Sequence, residues 1–167
     1  MRFQLPTIPQ ALALCGAALV PSMAHAQSFQ GIGQLPGGTQ SYAFGVSADG
    51  NTVVGRGGLA VGFEAVRWRA GVLVGLGDLA GGPHESTAYG ASADGSVIVG
   101  TARDASVGRG VRWDDTAMTQ LPQFAGHGGY SECQGVSSDG QTLCGFNSNG
   151  TVTGYGSVIA VRRERAS

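Results

Sequence analysis

Three aspartates are the first candidates for chemistry, because each stands in the same short motif at a fixed interval. Asp49, Asp94 and Asp139 lie in SADG, SADG and SSDG, and 45 residues separate each from the next. A calcium site needs several oxygen ligands that converge on one ion, and each motif supplies one carboxylate. A sialidase-type Asp-box has a residue between aspartate and glycine, whereas glycine follows directly here. The motif therefore predicts an Asp-Gly hairpin turn in which glycine adopts the positive φ.

Two histidines and two glutamates form the second candidate set. His84 and His127 fall on corresponding loops, and a glutamate, Glu85 or Glu132, follows each within a few residues. If these side chains met, they could bind a metal or serve as acid and base, but solvent-exposed loop residues are the simpler interpretation. No spacing marks a Ser-His-Asp triad or a nucleophile elbow. The chain has no lysine, so it has no phosphate loop of the Gly-Lys-Ser/Thr type. We therefore predict no catalytic residue, no metal and no cofactor.

The first 26 residues have the pattern of a secretory signal peptide. Arg2 precedes an apolar stretch, residues 11–20, and the small-x-small pattern of residues 24–26 ends the segment. The stretch is too short to span a membrane. A buried N-terminal helix is the alternative, and Cys15 would suggest a lipoprotein if a small residue preceded it. We expect cleavage after Ala26, export to the periplasm, the cell surface or the medium, and no transmembrane segment in the mature chain.

Two cysteines remain after the leader, and they flank the third turn. Cys133 and Cys144 occupy positions that are alanine and valine in the other two copies of the motif. An even pair in an exported protein favours a disulfide, and the two positions lie on the two strands of one hairpin. We therefore predict a structural disulfide between them, with two buried thiols as the alternative. The spacing is not CxxC, which argues against a redox or metal role.

The composition limits the class of protein. Glycine supplies 30 of 167 residues, 13% of residues are charged, and the net charge is −1. This balance is too apolar for a disordered chain and lacks the period of collagen. The small net charge also argues against nucleic acid as a partner. Short apolar runs between glycine-rich turns predict an all-β fold.

The interval of 45 residues organises the whole mature chain into three units, near residues 31–76, 77–121 and 122–167. A hairpin on the Asp-Gly turn opens each unit, and Trp68 or Trp113 follows the turn aspartate by 19 residues. Four short antiparallel strands in this length match a propeller blade. Each tryptophan is expected to pack between neighbouring sheets, with a ligand-stacking platform as the alternative. A solenoid of stacked units would explain the same period.

The third unit is degenerate. Val158 stands where its tryptophan is expected, and in the nearest echo of the motif Arg163 takes that place. Three units cannot comfortably close a ring, since propellers usually have four to eight blades. We therefore expect a partial or open propeller-like stack, with association of copies or a truncated fragment of a longer protein as the alternatives. Open sheet edges would favour self-association.

Several linked motifs resemble the HAF-repeat family, which comprises predicted extracellular repeat proteins of bacteria. The resemblance is carried by GVSADGNTVVG at residues 45–55, EAVRW at 64–68 and LGDLAGG at 76–82, and by GASADGSVIVG at 90–100 and GVRW at 110–113. The name-giving His-Ala-Phe is replaced by Glu-Ala-Val and Arg-Gly-Val. The resemblance implies export and a repeat architecture, and it implies no catalytic residue.

These observations favour a non-enzymatic function. We expect an exported structural or binding module whose glycine- and serine-rich loops contact an unidentified ligand or envelope partner. The alternative is a secreted hydrolase or lyase on a propeller scaffold, with carboxylates or histidines clustered at the ring centre. A non-functional fragment of a longer repeat protein is the third hypothesis.

Overall fold

The computed structural model describes residues 29–123 and 128–148 and the strand Val158–Arg162. Within these residues the regular structure is all strand, which confirms the predicted all-β class. The predicted signal peptide, His127 and Arg163 lie outside the described residues.

The described strands fall into three consecutive antiparallel groups, called here the first, second and third units. The first unit contains β1 to β4, the second β5 to β8 and the third β9 to β11. The strands are β1 (Gln40–Val46), β2 (Thr52–Leu59), β3 (Gly62–Arg69), β4 (Val72–Gly75), β5 (His84–Ala91), β6 (Val97–Arg103), β7 (Gly108–Asp114), β8 (Ala117–Gln120), β9 (Ser131–Val136), β10 (Thr142–Asn147) and β11 (Val158–Arg162).

The period of the sequence recurs in the strand positions. The second strand of each unit begins at Thr52, Val97 and Thr142, again 45 residues apart. Within the first and second units each strand pairs with the next as an antiparallel meander. A short parallel pairing of Gly62 and Phe63 with the start of β5 joins these two units at one point. Among the described strands, the sheets are open.

The Ser-x-Asp-Gly motif forms the predicted hairpin turn in all three units. In the second unit the Ser92 hydroxyl donates to Asp94 Oδ1 at 2.7 Å and accepts from the Val97 N–H at 3.0 Å. Equivalent bonds link Ser47 with Asp49 and Ser137 with Asp139. The turn glycines Gly50, Gly95 and Gly140 have φ values of 73°, 67° and 71°, a left-handed conformation that glycine adopts without a Cβ clash.

The turn carboxylate of the second unit is expected to stay ionised in acid. The Ser96 N–H and then the Ser92 hydroxyl lower the pKa of Asp94 from 3.8 to about 2. Because the folded pKa is depressed, its contribution to stability is present above about pH 4 and is lost as the pH falls toward 2. Carboxyl NMR titration should give a midpoint near 2, and Ser96→Ala should raise it, because the Ser96 hydroxyl also donates to Asp94 Oδ1 at 2.8 Å. A midpoint near the ordinary value in the folded chain would contradict the bonded turn.

The turns also bond to one another, which the sequence motif did not predict. The Asp49 N–H donates to the Ala93 carbonyl at 3.1 Å, and the Ala93 N–H donates to the Ser138 carbonyl at 3.0 Å. The three turns therefore form a hydrogen-bonded row that runs from unit to unit.

Two arginines reinforce this row. The Arg69 guanidinium donates to the Asp94 carbonyl at 2.8 Å, and Arg112 donates to the Gly140 carbonyl at 2.7 Å. Arg112 is buried and also bonds Asp114, so its charge is paired. Each arginine thus connects the third strand of one unit to the turn of the next unit.

The main core lies between the first and second units. Trp113 is fully buried, and its indole N–H donates to the Leu76 carbonyl of the first unit at 2.9 Å. This confirms packing between neighbouring sheets for Trp113. Trp68, the equivalent residue of the first unit, is half-buried. The fully or nearly fully buried core residues are Val54, Ala65, Leu76, Ala88, Ile98, Ala102, Val111 and Trp113.

The third unit departs from the predicted register. In the first two units the tryptophans pair with Val53 and Ile98 on the second strand. In the third unit the equivalent residue, Leu143, pairs with Val161. Val161 therefore occupies the position of the tryptophan in the third unit. The sequence prediction, which put this position at Val158 or Arg163, was wrong. A longer connection between β10 and β11 shifts β11 along the chain.

The predicted disulfide does not form, since Cys133 and Cys144 are both free thiols. A β-bulge pairs Cys133 with Gly145 and Cys144 with Gly135, so the two side chains point to opposite faces of the sheet. Cys133 is 2% exposed and packs with Leu143, whereas Cys144 is exposed. Burial raises the pKa of Cys133 to about 12, so this thiol stays protonated at neutral pH.

Candidate functional site

A β-bulge at the same place in the first strand of every unit shapes the candidate site. Phe44, Tyr89 and Gln134 are the extra residues of these bulges, and the register of each pairing skips over them. Bulges bend a strand and re-aim a side chain. The three equivalent side chains are therefore presented by one repeated backbone distortion.

The first strands of the units lie next to one another, β1 against β5 and β5 against β9. The rings of Phe44 and Tyr89 are 5.9 Å apart between centroids. The carbonyl of Gln134 in β9 lies beside Gly90 in β5. Together these strands carry what is called here the first-strand row, which consists of Tyr42, Phe44, Tyr89, Glu132 and Gln134.

The first unit provides the aromatic and cationic end of this row. The Arg56 guanidinium lies 4.2 Å from the ring centroid of Phe63, 5.2 Å from that of Tyr42 and 5.8 Å from that of Phe44. These distances are within the range of cation–π attraction. Tyr42 is 41% exposed and Phe44 47% exposed, which is unusual for large rings in a small domain.

The third unit provides the acidic end. The Tyr130 hydroxyl donates to Glu132 Oε2 at 2.5 Å, and the Gln134 amide donates to Glu132 Oε1 at 3.1 Å. Between the two ends, burial and then the Glu132 carboxylate raise the pKa of Tyr89, while Arg56 acts in the opposite direction. The row therefore runs from a cation among aromatic rings to a carboxylate held by two donors.

A cleft of about 180 Å³ lies between the second and third units. Thr101 and Gly108 line it, at positions 45 residues after Arg56 and Phe63. In the first unit Arg56 and Phe63 fill this place and form part of the aromatic cluster. The smaller Thr101 and Gly108 leave it empty in the second unit, which creates the cleft. The other lining residues are Glu85, Arg103, Ser106, Val107 and Tyr130.

The described members of the histidine and glutamate set lie in separate surroundings. His84 is exposed at the start of β5, and Glu85 pairs with Arg103 at 3.1 Å. Glu132 belongs to the first-strand row, and His127 lies outside the described residues. In the part of the chain that the structure describes, no hydrogen bond or ion pair joins Glu85 to Glu132, and no group of three potential ligands could hold a metal.

Sequence reasoning missed the first-strand row. The signal is present in YAFG at residues 42–45, TAYG at 87–90 and ECQG at 132–135, where a large or polar residue precedes a repeated glycine. The residue before that glycine is the bulged one in each unit. Tyr42 and Phe44 are two residues apart, as are Glu132 and Gln134, so strand alternation already places each pair on one face. The bulge changes the register of the residues that follow it.

The fold is all-β, and its described strands form two consecutive four-stranded units and a third unit of three strands. No protein-family model and no curated protein sequence matches the chain. The fold is similar to two solved TolB structures. A TolB-type protein from Agrobacterium tumefaciens is 16% identical at a TM-score of 0.50, with 74% of this chain and 49% of that chain covered. TolB from Acinetobacter baumannii is 15% identical at a TM-score of 0.50, with 79% and 34% covered.

These similarities concern the fold, and TolB contains a β-propeller. The chain spans about half the length of the first of these proteins and about a third of the second. In the described part of this chain, no helix is long and apolar enough to cross a membrane.

Proposed function

We propose that the chain is an exported, non-catalytic binding module built from propeller-type blades, and that the first-strand row holds an extended segment of a protein partner. The observation that carries this proposal is the pair of exposed rings, Tyr42 and Phe44, beside the Arg56 guanidinium. The leader sequence supports export, and the linked repeat motifs support membership in the HAF-repeat family.

The residue types of the row support a protein partner. Tyrosine, phenylalanine and arginine are enriched at the cores of protein interfaces, and tyrosine and arginine are frequent binding hot spots. Tyr42, Phe44 and Arg56 form one contiguous group at the surface. Such a group gives a partner apolar area together with a cation, which suits a segment that carries apolar and acidic side chains.

The backbone of β1 supports an extended ligand. Among the described strands β1 pairs with β2 along one side, and it ends the order of its sheet. A partner strand can add to such an edge through main-chain hydrogen bonds, with alternate side chains contacting the surface. We therefore place the contact surface on the row rather than on the glycine- and serine-rich loops.

A library of random peptides displayed on phage tests this proposal. Peptides selected on the wild-type chain should lose affinity by about tenfold or more when Tyr42 and Phe44 are both changed to alanine, the loss expected for hot-spot side chains. The readout is the Kd of the purified peptides.

The matched control is Val72→Ala. Val72 is also a large exposed apolar residue, 60% exposed, but it lies on β4 away from the row. Its replacement should leave the Kd unchanged. If no peptide is enriched, or if the enriched peptides bind the double variant as well as the wild type, the row is not the binding surface.

A further inference from the structure

One face of the first unit lacks the cover that the same face has in the other units. In the second unit Ala88, Ile98 and Trp113 share a face of the sheet, and each is fully buried against the first unit. In the third unit the equivalent Cys133 and Leu143 are 2% and 3% exposed. This face is therefore the docking face that each of these units turns toward the unit before it.

Among the described residues, the docking face of the first unit is open. Its equivalent residues are Ala43, which is exposed, and Val53 and Trp68, which are half-buried. Leu35 reaches the side chain of Val66 and covers the middle of the face. The uncovered part is thus an apolar surface whose shape and residue types already bind a sheet of this protein elsewhere.

The third unit presents the complementary surface. Val54 and Val99 lie on the faces that the first and second units turn toward the next unit, and both are fully buried there. Cys144 is the equivalent residue of the third unit and is exposed. The three-unit stack therefore has two open ends that match the two sides of its own internal interfaces.

We propose that a second copy of this chain occupies these ends, with the third unit of each copy packed on the Trp68 face of the other. The contact would continue the interface already made twice within the chain. Head-to-tail contacts close into a ring when the rotation between copies allows it. Two copies supply six units, which lies within the usual range of four to eight blades.

The mass of the full chain in solution is the first test, measured by light scattering coupled to size exclusion. We expect a discrete species of two copies, and Ala43→Arg should convert it to one copy. Ala43 is exposed in the single chain, so this change places a charge in the contact without removing a core residue. A single copy for the wild type at all concentrations, or a series of larger species without a discrete pair, would overturn the proposal.

Crosslinking identifies the surfaces. In a Cys15→Ser background, Ala43→Cys should form a disulfide with Cys144 of the other copy, because their equivalents Ala88 and Val54 belong to one core cluster. The link should be absent when Cys144 is changed to serine, and absent for Val72→Cys, which offers an equally exposed thiol on β4. A pair of copies that resists Ala43→Arg and does not crosslink would show that another surface, or another partner, is used.

Discussion

Replacing Trp113 with alanine is expected to lower the free energy of unfolding by about 3–5 kcal/mol, the usual range for removing a buried tryptophan. The side chain is fully buried between the first and second units, and its N–H has the Leu76 carbonyl as partner. The change therefore leaves a cavity and an unpaired carbonyl at the main interface. Urea denaturation followed by far-UV circular dichroism measures the loss.

Trp68→Ala is the matched control for this change. Trp68 occupies the same place in the first unit, opposite Val53 as Trp113 is opposite Ile98, but it is half-buried. At protein concentrations where the chain is a single copy, its loss should be clearly smaller than that of Trp113→Ala. Equal losses would show that the interface between units is not what stabilises the fold.

Gly100→Ala is expected to have a similarly large effect, because the bulge leaves no room for a side chain. A Cβ built on Gly100 would lie 1.9 Å from the Thr87 carbonyl oxygen and 2.9 Å from the Ala88 Cα, both backbone atoms. The strand must shift to admit it, and because the clash is with backbone atoms we expect a loss of about 3 kcal/mol or more, at or above the upper end of the usual cost of overpacking, or no folded protein. Thermal and urea unfolding measure this loss.

Gly31→Ala provides the comparison, since a Cβ at Gly31 meets nothing within 4 Å. It should leave the unfolding midpoint nearly unchanged. The same clash occurs in the other units, where a Cβ on Gly55 or Gly145 would lie 1.7 or 2.0 Å from a carbonyl oxygen. If Gly100→Ala were as stable as the wild type, the bulge that builds the first-strand row would not exist in solution.

Local sequence is enough to predict the turns, the period and the all-β class of this protein. The turn at Asp94 needs partners within five residues, Ser92, Ser96 and Val97, so its hydrogen bonds can be read from a short motif. The strands on either side follow from short β-branched runs, and the interval of 45 residues places them. These features depend on local interactions, and the local sequence contains them.

Only the tertiary structure decided which side chains share a face and which surfaces remain open. One bulged residue in β9 sends Cys133 inward and Cys144 outward, which removed the predicted disulfide and changed no local motif. Equivalent bulges in β1 and β5 present Phe44 and Tyr89, and the contact between their rings joins residues 45 positions apart. Trp68 and Trp113 both stand in a Val-Arg-Trp motif, yet only the packing of one unit on the next buries Trp113 completely. Side-chain direction along a strand alternates with every residue, so a single inserted residue reverses it, and distant packing then determines what each face contacts.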